Sequence, residues 1–321
     1  MELEEIVTPI RTLWKFDYEP HVKALRDLYE VAKKEQWNAS SDIPWHLETD
    51  PAEVGEIAGP GGDPLKDFDF ITTLPTEQRI ELSKRRSAWT LSQMLHGEQG
   101  AMMICGQLVE VVPDMDGKLY AATQVIDEAR HVEVFHRYIK RLDRVYPLMG
   151  PLKMLLNAVL ETDMWQKKCM GMQVIAESLA MGAFKMMKKG TNDEVLKQVV
   201  ELTSQDEARH VSFGLIYMKE EIPKMSEPDR DELEDFALAA VQMLADPENQ
   251  ATTAEPLFKI FGEVGIDMEV AMAEMQSKFG DPEFQASQPN PFRDYVIPQL
   301  NRLDLITERT APAYRAMGLR H

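Results

Sequence analysis

Cysteine is nearly absent. Cys105 and Cys169 are the only two in 321 residues, too few for a disulfide framework, a thiolate zinc site or an iron–sulfur cluster in one chain. A metal held by this chain must therefore use carboxylates and imidazoles. Positive charge is also scarce: 35 basic residues face 54 acidic ones, for a formal charge of −19. A surface that negative repels phosphate backbones, which excludes nucleic acid as a partner. No apolar run approaches the ~18–20 residues of a spanning helix. The start, Met1-Glu-Leu-Glu-Glu-Ile, is acidic where a signal peptide is basic and then apolar. A cytoplasmic protein with no membrane span is expected. Hydrophobic residues make up 44% of the chain and charged ones 28%, enough apolar surface for a folded core rather than a disordered chain.

β-branched alternation is scarce too, and from about residue 77 apolar residues recur at three- and four-residue steps, which predicts an all-α fold. Pro113, Gly117, Pro147, Pro151, Gly190 and Pro223 divide the middle of the chain into four long helices, at about 77–112, 118–145, 151–189 and 193–222. Gly190 suits a helix C-terminus, and Asn192 or Asp193 the next N-cap. Residues 1–76 read as an N-terminal extension with one amphipathic stretch near 21–36 and a Gly/Pro-rich loop at 58–64, a lid or a linker. Residues 223–321 read as accessory helices, two or three in number, packed on a bundle formed by 77–222.

An internal repeat carries the chemistry. Asp127-Glu-Ala-Arg-His-Val132 recurs as Asp206-Glu-Ala-Arg-His-Val211, displaced by 79 residues, and the same displacement relates Glu98 to Glu177. Two helical hairpins are thus copies of one another. Each offers one Glu on its first helix and Glu-x-x-His on its second: Glu98 with Glu128 and His131, then Glu177 with Glu207 and His210. Positions i and i+3 share a helix face, so each Glu-x-x-His aims two ligating groups the same way. Glu98 lies in the apolar series Leu91, Leu95, Met102, Cys105 and Leu108, which turns its carboxylate toward the core. Four carboxylates in one apolar interior are too costly unless protonated, paired or bound to cations. Four carboxylates and two imidazoles form the hard oxygen-plus-nitrogen set that suits iron and manganese. One Glu from each of two helices with Glu-x-x-His from each of the other two is also the ligand pattern of di-iron and di-manganese bundles.

On these residues the chain resembles the ferritin-like di-iron carboxylate superfamily over roughly 77–222. Both copies of Asp-Glu-x-Arg-His look like the signature of its oxygen-activating branch, which includes acyl carrier protein desaturases, monooxygenase hydroxylase subunits and the arylamine N-oxygenase group. The resemblance implies a ferritin-like four-helix bundle holding two iron ions, or a manganese–iron pair, with O2 as co-substrate. It also implies second-layer roles: Asp127 and Asp206 orient His210 and His131 across the hairpins, while Arg130 and Arg209 offset negative charge. The implied activity is oxygenation or desaturation of an apolar small organic substrate. With no flavin or iron–sulfur motif in the chain, the electrons are expected from a separate ferredoxin or reductase. A homodimer is compatible with the sequence.

Departures narrow the choice. Phe135 stands where radical-storing R2-type subunits keep Tyr, Ala180 and Met181 where hydroxylases and desaturases often carry Thr, and Thr203 where the arylamine N-oxygenase group has a seventh ligand, His. Six ligands are expected. An R2-like radical or metal-binding subunit and an iron-handling ferroxidase remain the alternatives. Met102, Phe135, Gln173, Met181 and Thr203 are expected to line a substrate pocket, although methionine at such spacing is more often core filler. His96 and His136 lie off the metal-facing stripe, and Trp14, Trp37 and Trp45 read as packing residues with no part in the site.

Overall fold

The computed structural model describes residues 4–50, 52, 54, 63, 65–246, 249 and 254–319, and among these it contains helices and no strand. Most of the Gly/Pro-rich loop at 58–64 lies outside the described residues. After a short helix, α1 (Lys23–Lys34), and a single turn, α2 (Asp69–Thr72), come two long antiparallel helices, α3 (Thr76–Val111) and α4 (Met115–Leu142). On α3 the side chains at Leu91, Leu95, Glu98, Ala101, Cys105 and Leu108 are all buried, so the helix faces the interior along one continuous stripe, as its periodicity requires. Asp114 caps α4 by accepting from the Gly117 amide at 2.7 Å. Gly117 is also a contact point, because a Cβ there would lie 2.8 Å from the Tyr217 hydroxyl.

The third long helix of the sequence reading is interrupted. The chain forms α5 (Gly150–Glu161), turns at residues 162–164, and resumes as α6 (Trp165–Cys169), a π-helical segment (Met170–Ala176) and α7 (Glu177–Gly190). Thr162 is extended, and its hydroxyl accepts from the Met164 amide at 3.3 Å, a local side-chain bond that competes with helix. Lys168 then bonds the last carbonyls of α5, donating to Val159 O at 3.1 Å and Leu160 O at 3.0 Å. The π segment fits against α8 (Glu194–Glu221) because residue 214 is Gly, where a Cβ would meet Gln173 Cβ at 2.6 Å. Asp193 caps α8, accepting from the Leu196 amide at 2.7 Å.

Two apolar clusters fill the interior. One gathers Ile104, Leu108, Tyr120, Met170, Phe213 and Tyr217, the other Leu91, Leu95, Val134, Phe135, Phe184 and Val199. Between them lies a layer at residues 98, 124–131, 173–177 and 203–210 that carries buried polar groups. α1 packs on α4 and α8, and α9 (Glu227–Ala245) packs on α5 and the π segment. Beyond 223 the described residues form six helices rather than two or three, several of only six residues; helices that short carry too few apolar residues to show a period. Among the described residues no helix is long and apolar enough to cross a membrane.

Candidate metal centre

All six residues singled out as ligands meet in the polar layer. Glu98 is 5% exposed, Glu177 2%, and Glu128, His131, Glu207 and His210 not at all. They form two overlapping groups, Glu98, Glu128, His131 and Glu207, then Glu128, Glu177, Glu207 and His210, in each of which one donor atom per residue lies within 4.8 Å of all the others. His131 Nδ1 faces three carboxylate oxygens, Glu98 Oε2 at 3.2 Å, Glu128 Oε2 at 3.3 Å and Glu207 Oε1 at 3.2 Å. His210 Nδ1 likewise faces Glu207 Oε2 at 2.9 Å, Glu128 Oε1 at 3.2 Å and Glu177 Oε1 at 3.9 Å. Glu128 and Glu207 therefore turn one oxygen to each half, and Glu98 and Glu177 belong to one half each.

One ring N–H has a single proton and cannot satisfy three carboxylates. Glu128 Oε2 and Glu207 Oε1 accordingly accept no hydrogen bond, though both are buried. Orphaned carboxylate oxygens converging on an imidazole nitrogen are what a cation's coordination shell needs and what a hydrogen-bonded core avoids. The donor set thus fits two hard or intermediate metal ions.

The electrostatics agree. Burial pushes Glu98 and Glu177 well above the carboxylate range, and the negative charge of Glu207 pushes the same way. Burial alone would lower the imidazoles, but the charge of Glu98 and the hydrogen bond that His131 donates to Asp206 hold His131 well above its usual value. The charges of Glu128 and Glu207 likewise hold His210 up at about 10. The site draws positive charge to both Nδ1 positions.

The other ring nitrogen of each imidazole is occupied. His131 Nε2 lies 3.1 Å from Asp206 Oδ2, and His210 Nε2 lies 3.2 Å from Asp127 Oδ2. Each Asp comes from the opposite hairpin. Burial would raise Asp206, but the hydrogen bond from His131 and the neighbouring cationic groups hold it down at about 2, and Asp127 is lowered in the same manner by His210. Both are ionised acceptors, so Nε2 donates, and Nδ1 is the nitrogen that a metal would take in place of its proton. Arg130 donates to Asp127 Oδ1 at 2.5 Å and Asp206 Oδ2 at 3.1 Å, and Arg209 pairs with Asp206.

The N-terminal arm closes this layer, and here the sequence reading needs correction. Trp37, read as packing only, donates from Nε1 to Asp206 Oδ2 at 2.7 Å and lies roughly parallel to the His131 ring, 6.3 Å between centroids. Gln36 donates to Asp127 Oδ1 at 3.0 Å and accepts from Arg130, and Glu35 pairs with Arg209 at 2.7 Å. The neighbouring charged pairs sit far from residues 35–37 in the sequence, and no local pattern marks them.

Gln124 was missed as well. Its amide donates to Glu128 Oε1 at 2.9 Å and Gln173 Oε1 at 2.8 Å, and reaches Glu177 Oε1 at 3.4 Å. Its position four residues before Glu128, on the same helix face, was the available signal. Gln173 in turn donates to Cys105 Sγ at 3.4 Å. Of the residues expected to line a pocket, Phe135 stacks on Phe184, 5.7 Å between centroids, Gln173 and Thr203 are buried, Met102 is half-buried, and Met181 lines a groove between α7 and α8. A cavity that does reach the carboxylates lies between α3, α5 and α7 and touches Glu98 and Glu177, and none of those five lines it. The expectation followed spacing along α3, α4, α7 and α8, whereas the cavity is walled in part by Leu152, Leu155 and Leu156 of α5.

Residues 19–295 match the family model described as p-aminobenzoate N-oxygenase AurF. The chain belongs to this family. It is accordingly an oxidoreductase of the di-iron oxygenase and oxidase class, in the ferritin-like superfamily, with a two-metal cofactor and O2 as co-substrate. Among solved structures it is similar to an R2-like ligand-binding oxidase variant with an aerobically reconstituted Mn/Fe cofactor, at 16% identity and a TM-score of 0.52 over 88% of this chain and 94% of that one. A second variant of that oxidase, anaerobically reconstituted with Mn/Fe, has 17% identity and a TM-score of 0.51 over 88% and 93%. At such identity the likeness shows a common fold. No curated protein matches the chain.

Proposed function

We propose that Glu98, Glu128, His131 and Glu207 hold one iron and Glu128, Glu177, Glu207 and His210 the other, and that the chain N-oxygenates a small organic amine. What carries this reading is the geometry of the two imidazoles, each with Nδ1 turned to three carboxylate oxygens and Nε2 bonded to an ionised Asp. Iron held by these residues would supply the electrons that reduce O2. The balance is R–NH2 with O2, two electrons and two protons giving R–NHOH and water.

The chain's own residues then have separate tasks. Glu128 and Glu207 span the two halves, and Glu98 and Glu177 complete one half each. Asp127 and Asp206 hold the imidazoles in the ligating tautomer, and Arg130 and Arg209 balance the charge of those two aspartates. Gln124 fixes the carboxylates of Glu128 and Glu177 from within the core. The substrate comes to the face where Glu98 and Glu177 border the cavity.

Electrons come from a separate ferredoxin or reductase in the cytoplasm, and a net charge of −19 favours a donor with a basic patch. Trp37, 9% exposed, joins the surface to His131 through Asp206 in two hydrogen bonds. Metal analysis of the aerobically purified protein, followed by stopped-flow O2 uptake after chemical reduction, tests the reading. Two irons per chain and O2 consumption much faster than that of free ferrous ion are expected. Absence of bound iron, or oxidation no faster than free Fe(II), overturns it.

A further inference from the structure

The cavity between α3, α5 and α7 touches Glu98 and Glu177, which are 5% and 2% exposed. A molecule much larger than water therefore reaches those carboxylates only if part of the wall moves. α3 and α7 cannot be that part, because they carry Glu98 and Glu177 and a shift of either would displace its carboxylate. α5 contributes Leu152, Leu155 and Leu156 to the wall and carries none of the six metal-facing residues.

The two ends of α5 are held differently. Ahead of its first turn, four hydrogen bonds tie residues 146–149 to α3. The Tyr146 amide donates to Ser92 Oγ at 3.0 Å, the Tyr146 carbonyl lies 2.9 Å from His96 Nε2, and Gln93 donates to Pro147 O at 3.0 Å and accepts from the Met149 amide at 2.8 Å. At the other end the helix stops at an extended Thr162, and among the described residues Lys168 is the only side chain that bonds its last turn. Lys168 donates to Val159 O at 3.1 Å and Leu160 O at 3.0 Å, and to Gln107 Oε1 of α3 at 2.8 Å.

That contact is suited to break as a unit. Lys168 is 1% exposed and all three of its partners are neutral, and burial lowers it to about 8 against the opposing charge of Asp163. A buried ammonium without a carboxylate partner is tolerated only while its hydrogen bonds are all made. Elsewhere α5 rests on two glycines. A Cβ at Gly171 would lie 2.4 Å from Val159 Cγ2, and one at Gly100 would lie 2.6 Å from Leu156 Cδ2. A glycine has no side chain to interlock with its neighbour, so at these two points the helix can lift and return.

We infer that α5 is the door to the cavity at Glu98 and Glu177: it turns about its N-terminal end, its C-terminal end lifts, and Lys168 is the latch. The inference rests on the function proposed above and concerns how a substrate reaches that site. Lys168 is a positioning residue, since it acts through α5 and does not line the cavity.

Hydrogen–deuterium exchange of the full chain, with and without iron, tests the motion, and the rate at which 2,2′-bipyridine withdraws iron from the reduced protein tests the passage. Lys168→Met removes the latch and keeps the length of the side chain. Gly171→Ala reaches the same end independently, because its Cβ meets the stiff, branched Val159. In each variant the amides of residues 155–161 should exchange at least tenfold faster than in the wild type, with α4 and α8 unchanged. Bipyridine should withdraw iron at least tenfold faster from variants that hold the wild-type amount of it. Either variant suffices if the other does not fold. Exchange that quickens in α4 and α8 as much as in α5, exchange in α5 that stays at the wild-type rate, or faster exchange with an unchanged withdrawal rate overturns the inference. A wild type that holds no iron refutes the metal-centre reading instead, and the exchange pattern then decides by itself whether α5 opens.

Discussion

Replacing Glu98 by Gln should change stability in opposite directions with and without metal, and only the metal-free effect should depend on pH. Burial and the neighbouring charge of Glu207 raise the Glu98 carboxyl well above its ordinary value of 4.5. In chelator-treated protein, Glu98 therefore keeps a proton in the folded state that the unfolded chain releases above pH 4.5. A group raised in this way stabilises the fold fully below its unfolded pKa and loses that contribution as pH rises toward the folded value. The loss amounts to about 1.4 kcal/mol per pH unit for one proton. Glu177, His131 and His210 are also raised and steepen the wild-type slope, but they remain in the variant. Glu207 is lowered, so its contribution is already complete above 4.5 and adds no slope there. The stability of Glu98→Gln relative to wild type should thus climb between pH 5 and 7, by up to about 3 kcal/mol over the two units. With iron bound the sign reverses, because the amide is a poor ligand for the His131 half, and each tenfold loss of metal affinity removes about 1.4 kcal/mol. Urea denaturation at pH 5, 6 and 7, with chelator and with iron, measures all of this. A pH-independent difference in the metal-free protein, or the same sign in both states, would refute the reasoning.

Glu128→Ala removes a donor from both halves and should at least halve the iron content, whereas Glu177→Ala removes one from the His210 half and should leave about one iron per chain; elemental analysis distinguishes them. Trp37→Phe deletes the indole N–H that binds Asp206 and keeps the ring volume. It should cost about 1 kcal/mol of stability, leave iron content unchanged, and slow reduction of the ferric protein by a protein donor in stopped-flow absorbance; an unchanged reduction rate would place the electron route elsewhere. No long-lived tyrosyl radical should appear in EPR spectra of freshly oxidised protein, because Phe135, stacked on Phe184, has no O–H to lose; a strong signal that tracks iron content would contradict the oxygenase reading.

The metal-facing residues were legible because their signal is local. Glu-x-x-His needs only the three-residue step of a helix to point two ligands one way, and the 79-residue repeat shows two such units related by copying. The caps at Asp114 and Asp193 are local as well, since a cap is an interaction across three residues. The break between α5 and α6 was written in the Thr162-Asp163 pair but outweighed by apolar periodicity on either side.

What the sequence by itself determined is the composition of the site: which faces of which helices carry carboxylate and imidazole, and that carboxylates buried there must be protonated, paired or bound to cations. Only the tertiary structure decided how the oxygens are shared, with Glu128 and Glu207 turned to both imidazoles and Glu98 and Glu177 to one each. It also brought Gln36 and Trp37 onto Asp127 and Asp206, 91 and 169 residues away, and opened the cavity beside α5. Helical period specifies direction about one axis, and that is a property of neighbours in the chain. The lateral offset between helices, the path of an irregular arm and the size of a gap follow from how all the side chains pack at once, and no short stretch of residues contains that sum.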